Sequence, residues 1–172
     1  MPKKNTKNRG FTLIELLLYV GIASIILLIT SLFLSTLLQS RIKNQTIAEV
    51  EQQGMQVMHV ITQTLRNADT IISPTVGTSA TSLSVNTYTA GNNPTILDIS
   101  GGVIRITEGV ASAVALTNSR ITASGLTFQN LSRVSTPDTV RIQFTLTRVN
   151  PEGRNEYNFS KTFYGSASLR QP

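Results

Sequence analysis

The sequence predicts an α+β protein in which one long N-terminal helix packs on a mostly antiparallel β-sheet. Three observations predict this fold class. An apolar stretch without proline extends from Phe11 to Leu38, and apolar residues at helical spacing follow it. Beyond residue 73, apolar and polar residues alternate in short runs that are typical of strands. The 172 residues therefore provide one membrane anchor and one compact domain.

The apolar stretch is long enough to cross a bilayer, for which about 20 residues suffice. Since a backbone in lipid must satisfy its own hydrogen bonds, we expect residues 11–38 to form a transmembrane helix. A basic leader, residues 1–10, precedes it and contains Lys3, Lys4, Lys7 and Arg9. Such a leader predicts a cytoplasmic N-terminus, and because no second apolar span follows, we expect a single-pass protein. A conventional cleaved secretory signal is less favoured, because the apolar stretch is roughly twice the length of the usual apolar region of a signal peptide and no clear small-residue cleavage site follows it.

An amphipathic helix is expected to continue the membrane helix over residues 39–73. Its apolar residues recur every three or four positions: Ile47, Val50, Gly54, Met58, Ile61, Leu65, Ala68 and Ile72. Gly54 is expected to permit close packing, whereas Glu49 and Glu51 lie beside the stripe and are expected to be solvated. Pro74 prevents any further extension of the helix.

The remaining residues, 74–172, are expected to form an exported β-rich domain of roughly five to seven strands. Alternation is clearest in two runs, Val140–Thr147 and Tyr157–Phe163, which the turn residues 150–153 join as a hairpin. Weaker strands are predicted at 82–88, 95–100, 103–107, 114–117 and 126–131. Gly101-Gly102 is expected to form a tight hairpin between the second and third of these.

Composition argues against an enzyme. The chain has no cysteine, which excludes disulfides, thiol catalysis and thiolate metal sites. His59 is the only histidine, and no nucleophile-elbow motif or paired carboxylates accompany it. We therefore expect His59 on the helix surface, and we predict no catalytic residue, no metal and no cofactor.

The segment Arg9-Gly10-Phe11-Thr12-Leu13-Ile14-Glu15 is the most informative motif. An acidic residue in a membrane span costs roughly 2.5–3.5 kcal/mol on insertion scales, so Glu15 requires compensation. Together with the basic leader and the apolar helix, the motif resembles the cleavage and methylation signature of type IV prepilins and pseudopilins. The resemblance implies that prepilin peptidase cleaves between Gly10 and Phe11 and that the new amine of Phe11 is methylated. It also implies that Glu15 acts in assembly with other pilin or pseudopilin subunits.

Elementary chemistry agrees with this interpretation. Gly10 has no side chain, so a peptidase can approach the backbone closely. Cleavage creates a cationic amine at Phe11, and the amine of a neighbouring subunit would partner a buried Glu15 and set the stagger between subunits. Thr12 can hydrogen-bond within the helix and so be tolerated there. The alternative is an accidental acid at the membrane edge that reaches the headgroups.

The chain is therefore predicted to be a structural subunit of a type IV pilus or type II secretion-like filament, held in the bacterial inner membrane and surrounded by its lipid. Short segments around residues 116–118, 126–128 and 163–170 resemble J-type pseudopilins and W-type minor pilins. The chain lacks the C-terminal cysteine pair and the membrane-helix proline of many major pilins. The segment resemblances favour a minor pilin or pseudopilin, and the missing proline gives no support to a membrane helix that melts within a filament as in shaft subunits.

A DNA-uptake or adhesion tip is the alternative function. Eight basic residues are distributed over the predicted sheet: Arg105, Arg120, Arg133, Arg141, Arg148, Arg154, Lys161 and Arg170. They could contact phosphates. However, five acidic residues reduce their net charge to +3, and most of the chain's +6 arises from the leader. A plain solvated surface is favoured over DNA binding.

Overall fold

A computed structural model describes residues 11–170. The leader and the predicted cleavage residue Gly10 lie outside the described residues. One helix, α1 (Leu13–Arg66, 54 residues), precedes nine strands in two antiparallel sheets. The predicted α+β class, with one long apolar N-terminal helix and antiparallel sheets, is confirmed. Internal contacts divide the chain into one compact unit that ends at Arg41 and a second that begins at Ile42.

In the first unit, three hydroxyl side chains in the apolar part of α1 form hydrogen bonds within the helix. The hydroxyl groups of Ser24, Thr30 and Thr36 each donate a hydrogen bond of 2.7–3.0 Å to the carbonyl oxygen four residues earlier. Such bonds satisfy these three hydroxyl donors without water. Its large apolar side chains are exposed along the whole segment. Among the described residues, α1 is the one helix long and apolar enough to cross a membrane.

The second unit contains all nine strands. They are β1 (Ala68–Ser73), β2 (Ser79–Ala80), β3 (Leu83–Thr87), β4 (Thr95–Ser100), β5 (Val103–Glu108), β6 (Val114–Ala115), β7 (Ile121–Asn130), β8 (Thr139–Arg148) and β9 (Ser160–Ser168). The first sheet has the order β1-β3-β4-β5-β6 and the second has the order β2-β7-β8-β9. Two short 3₁₀ helices, Ala90–Asn92 and Asn155–Tyr157, lie in loops.

The core of the second unit lies between the last third of α1 and the two sheets. The buried helix residues are Thr46, Val50, Gly54, Val57, Ile61 and Leu65. The strands contribute large buried side chains that include Leu83, Leu97, Phe128, Phe144 and Leu146. The predicted apolar stripe is thus confirmed at Val50, Gly54, Ile61 and Leu65, whereas Ile47 and Met58 are only partly buried.

The end of the helix differs from the sequence expectation. We expected helix to about residue 73, but α1 ends at Arg66 and Ala68 begins β1. Strand β1 pairs antiparallel with β3, from Ala68 opposite Thr87 to Ser73 opposite Ser84. Because Ala68 is buried in either arrangement, helical spacing alone could not separate the two.

The nine strands form two sheets, whereas one sheet of roughly five to seven strands was expected. Strand β1 and the two-residue β2 were not predicted. Both predicted hairpins are confirmed. Ser100 pairs with Val103, so Gly101-Gly102 is a two-residue turn, and both glycines have positive φ (58° and 78°) as a type I′ turn requires. The second hairpin joins β8 to β9, but β9 begins only at Ser160 because Tyr157 belongs to a 3₁₀ helix.

Candidate functional site

The candidate site at the start of α1 consists of Phe11, Thr12 and Glu15. Thr12 immediately precedes the helix and acts as its N-cap: its hydroxyl oxygen accepts a hydrogen bond from the backbone N–H of Glu15 at 3.3 Å. The carbonyl oxygen of Thr12 accepts from Glu15 at 3.1 Å and from Leu16 at 3.2 Å. The spacing Thr-x-x-Glu is that of a capping box, and the hydrogen bond to the threonine hydroxyl is one of the two bonds that define this motif.

Glu15 lies in the first turn of α1 and is exposed. A carboxylate in this position interacts favourably with the positive end of the helix dipole. No basic side chain among residues 11–170 forms an ion pair with it. Phe11 is 73% exposed, and its ring packs against the Tyr19 ring in a T-shaped arrangement with centroids 5.9 Å apart. The structure thus brings Thr12 and Glu15 together at the helix start and leaves both Phe11 and the carboxylate accessible.

Polar groups in the second unit hold α1 against the sheets. Glu49 accepts hydrogen bonds from Arg148 Nη1 at 2.6 Å and from Asn118 Nδ2 at 3.3 Å, and Arg120 Nη1 lies 3.9 Å away. Glu51 pairs with Lys161 Nζ at 2.5 Å. The expectation that Glu49 and Glu51 are simply solvated was wrong. Sequence spacing could not identify these pairs, since their partners lie about a hundred residues away.

A lysine provides a third attachment of the helix. Lys43 Nζ donates to the carbonyl oxygens of Asn155 and Asn158 at 3.2 and 2.6 Å. These carbonyls belong to the loop between β8 and β9, so the lysine fixes that loop to the start of the amphipathic segment. Sequence analysis missed this role, which no local motif signals.

The basic residues of the sheets are mostly paired with carboxylates. Arg105 forms a bidentate pair with Asp98, in which Nε donates to Oδ1 at 3.0 Å and Nη2 donates to Oδ2 at 2.7 Å. This hydrogen bonding raises the pKa of the Arg105 guanidinium. Hydrogen bonding to Glu156 likewise raises the pKa of Arg154. A backbone hydrogen bond, and then the bond from Arg154, lowers the pKa of the Glu156 carboxyl. The ion pairs therefore leave three of the eight predicted basic residues without an acidic partner in the described chain: Arg133, Arg141 and Arg170.

The described residues offer little for catalysis or metal binding. His59 is exposed on α1, as its position in the sequence suggested. No group of three or more potential metal-ligating side chains occurs among the described residues. The open grooves of the second unit are lined mainly by amide, hydroxyl and arginine side chains.

Comparison with known protein families identifies the N-terminal segment. Residues 5–31 match the family model described as the prokaryotic N-terminal methylation motif, which is the type IV prepilin-like signal. No curated protein and no solved structure matches the chain significantly. The motif and the apolar helix fit an inner-membrane-anchored protein. The chain thus carries a type IV prepilin-like N-terminal signal, which indicates a pilin-like protein that prepilin peptidase processes.

Proposed function

We propose that this protein is a structural, non-enzymatic subunit, a minor pilin or pseudopilin, of a type IV pilus or type II secretion-like filament. The observation that supports it most strongly is the methylation motif at residues 5–31 on a helix of 54 residues. In this proposal, residues 11–38 hold the protein in the inner membrane with its N-terminus in the cytoplasm. The β-rich domain lies on the outer side until the subunit enters a filament.

The processing step would occur at the Gly10–Phe11 peptide bond. Its hydrolysis removes four basic residues of the leader and leaves the amine of Phe11, which is then methylated. The capping residue Thr12 lies on the retained side of this bond, so the first turn of α1 keeps its cap after the leader is lost. Exposure of Phe11 is compatible with access by the peptidase.

Assembly would use the exposed carboxylate of Glu15. A charged carboxylate in hydrocarbon is costly unless a cation neutralises it. Cleavage leaves each subunit with a cationic amine at Phe11, one helical turn before its own Glu15. The methylated amine of a neighbouring subunit is therefore a suitable cation for the Glu15 carboxylate. This pairing would fix the stagger between adjacent helices.

The arrangement of charges supports a structural role for the β-rich domain. Its ion pairs join α1 to the sheets, as in Glu49–Arg148 and Glu51–Lys161. Ion pairs to four carboxylates also engage five of the eight basic residues that could otherwise contact DNA phosphates. The alternative of a DNA-uptake tip therefore receives less support than a filament subunit.

Intact mass spectrometry of the protein extracted from its native membrane tests the proposal. We expect a polypeptide that begins at Phe11 and carries one additional methyl group. A Gly10→Val variant should retain its leader, because a branched side chain blocks close approach of the backbone to the peptidase. A native protein that still contains its leader, or that begins beyond residue 38, would contradict the proposal.

A further inference from the structure

Strand β9 forms one edge of the second sheet, since β8 is its sole neighbour in the sheet order. The nine residues of β9 pair with β8 without a register shift, from Ser160 opposite Thr147 to Ser168 opposite Thr139. They include no proline and no bulge. The one charged side chain, Lys161, is near the start of the strand and is neutralised by Glu51. Natural sheets usually protect a long edge of this kind, because its free backbone groups can pair with another strand.

The hydrogen-bond pattern identifies which backbone groups face outward. Arg148 N donates to the carbonyl of Phe159 at 2.9 Å, and Leu169 N donates to the carbonyl of Asp138 at 2.8 Å. Since alternate residues of an antiparallel pair exchange hydrogen bonds, the odd-numbered residues of β9 face β8. The N–H and C=O groups that face outward are those of Ser160, Thr162, Tyr164, Ser166 and Ser168.

One flank of α1 runs beside this edge. Lys161 contacts Glu51, and Gly165, further along β9, lies against the side chain of Met58, further along α1. The chain direction of β9 is therefore the same as that of α1. Met55 lies four residues after Glu51 and three before Met58, hence on the same flank, and it is 62% exposed. A strand added to β9 would therefore place alternate side chains against Met55, and apolar side chains suit that position.

The far end of this edge opens into a basic groove of about 620 Å³. Its lining includes His59, Thr62, Arg66, Ser168 and Arg170. Neither Arg66 nor Arg170 forms an ion pair with a described residue. Both also line the adjoining groove. The acidic residue of that groove, Glu108, accepts a hydrogen bond from Asn92 instead. Two unpaired guanidinium groups favour a carboxylate at the Ser168 end of any added strand.

We propose that the free edge of β9 and this flank of α1 bind an extended segment of a partner protein as an additional antiparallel strand. The segment has apolar residues at alternate positions, and its first residues are acidic and meet Arg66 and Arg170. A second copy of β9 fits less well, because antiparallel pairing would bring its Lys161 close to these two arginines. Main-chain hydrogen bonds supply the affinity, and the acidic end supplies the direction and register.

Synthetic peptides and the full chain in detergent micelles test the proposal. The probe is the acetylated and amidated peptide Asp-Glu-Val-Thr-Val-Thr-Val-Thr, and the matched control replaces Asp-Glu with Lys-Lys. We expect the acidic peptide to bind about tenfold more tightly than the control. Residue-resolved hydrogen exchange should show protection of the amides of Thr162, Tyr164 and Ser166. Failure of the acidic peptide to bind at about 1 mM, or equal binding of both peptides, overturns the proposal.

Two pairs of variants separate edge pairing from other modes of binding. Thr162→Pro removes an outward N–H but no bond to β8, and should weaken binding about tenfold, whereas Thr162→Ala should not. The double variant Arg66→Glu/Arg170→Glu should bind the basic peptide better, whereas Arg133→Glu/Arg141→Glu should retain the original preference. Unfolding temperatures verify that each variant is folded. Binding that Thr162→Pro leaves unchanged, or self-association of the protein that the same variant abolishes, would contradict a partner segment at this edge.

Discussion

The ring of Phe163 on β9 occupies the space directly over Gly54 on α1, so that a Cβ atom at residue 54 would overlap the ring. The same ring stacks on Phe144 of β8, with centroids 5.3 Å apart. Four residues further along the helix the relation is reversed, because the side chain of Met58 fills the space over Gly165 of β9. Each element thus provides a glycine that receives a large side chain from the other, and this interlock fixes their relative position.

The substitution Gly54→Ala should therefore destabilise the β-rich unit. Overpacking of a well-packed core costs about 1–3 kcal/mol, and the better helix propensity of alanine returns up to about 1 kcal/mol. We expect a net decrease of about 1–2 kcal/mol in the free energy of unfolding, measured by denaturant titration of the full chain in detergent.

Gly91→Ala is the matched control, because no atom lies within 4 Å of a Cβ atom built at that glycine. It should leave stability unchanged. In a Phe163→Leu background, Gly54→Ala should lose most of its cost, since the overlapping ring is gone. An equal cost in both backgrounds would show that the ring does not cause the destabilisation.

The contact between Glu49 and Arg148 should contribute more stability than any exposed ion pair of the chain. The side chains of Arg148 and Glu49 are 14% and 28% exposed, and Arg148 Nε is buried without a partner in the described residues. Glu49→Gln leaves the guanidinium without its counter-charge. We expect a loss of about 1–3 kcal/mol in the free energy of unfolding, again by denaturant titration.

Glu51→Gln is the comparison for this prediction. Glu51 and its partner Lys161 are 41% and 42% exposed, so solvent screens their attraction. Its loss should cost about 0–1 kcal/mol. If the two substitutions destabilise the protein equally, burial does not determine the contribution of these pairs.

The sequence was informative about the fold wherever one face of an element is buried. Val50, Ile61 and Leu65 on α1, and the alternating residues of β8, lie in the core as their spacing predicts. The prediction failed at residues 68–73, where Ala68 and Ile72 fit helical spacing but belong to a strand that pairs with β3. Long-range pairing decided that segment, and a local pattern contains no information about its partner strand.

Prediction of the candidate site depended on a local motif rather than on periodicity. Thr12 and Glu15 are three residues apart, and their contact could be anticipated from capping chemistry. In contrast, the partners of Glu49 and Glu51 could not be predicted. Arg148 and Lys161 approach them only after both hairpin strands have formed.

The loop between β8 and β9 should lose stability in acid. The lowered pKa of Glu156 relative to its ordinary value of 4.5 means that its ionised form is favoured in the folded protein. That contribution is complete above the unfolded pKa and disappears as the pH falls through the lower folded pKa. Wild-type and Glu156→Gln proteins should therefore differ most in stability near neutral pH.

Thermal unfolding of both proteins between about pH 7 and pH 3 measures this effect. The difference in unfolding temperature should shrink once the pH falls below about 4.5, because protonation makes the wild-type side chain neutral as well. A constant difference over the whole range would mean that Glu156 contributes through its shape rather than its charge.

The carboxylate of Glu15 provides the sharpest test of the assembly proposal. Glu15→Ala and Glu15→Gln both remove the charge but leave the cleavage residues and the apolar helix intact. If the carboxylate pairs with the amine of a neighbouring subunit, both variants should be processed normally at Phe11 and should enter filaments at a strongly reduced level. The ratio of filament to membrane protein, measured by quantitative immunoblotting of sheared fractions, checks this expectation. Glutamine retains hydrogen-bonding capacity, so normal assembly of Glu15→Gln alone would assign the role to a hydrogen bond, and normal assembly of both variants would refute it.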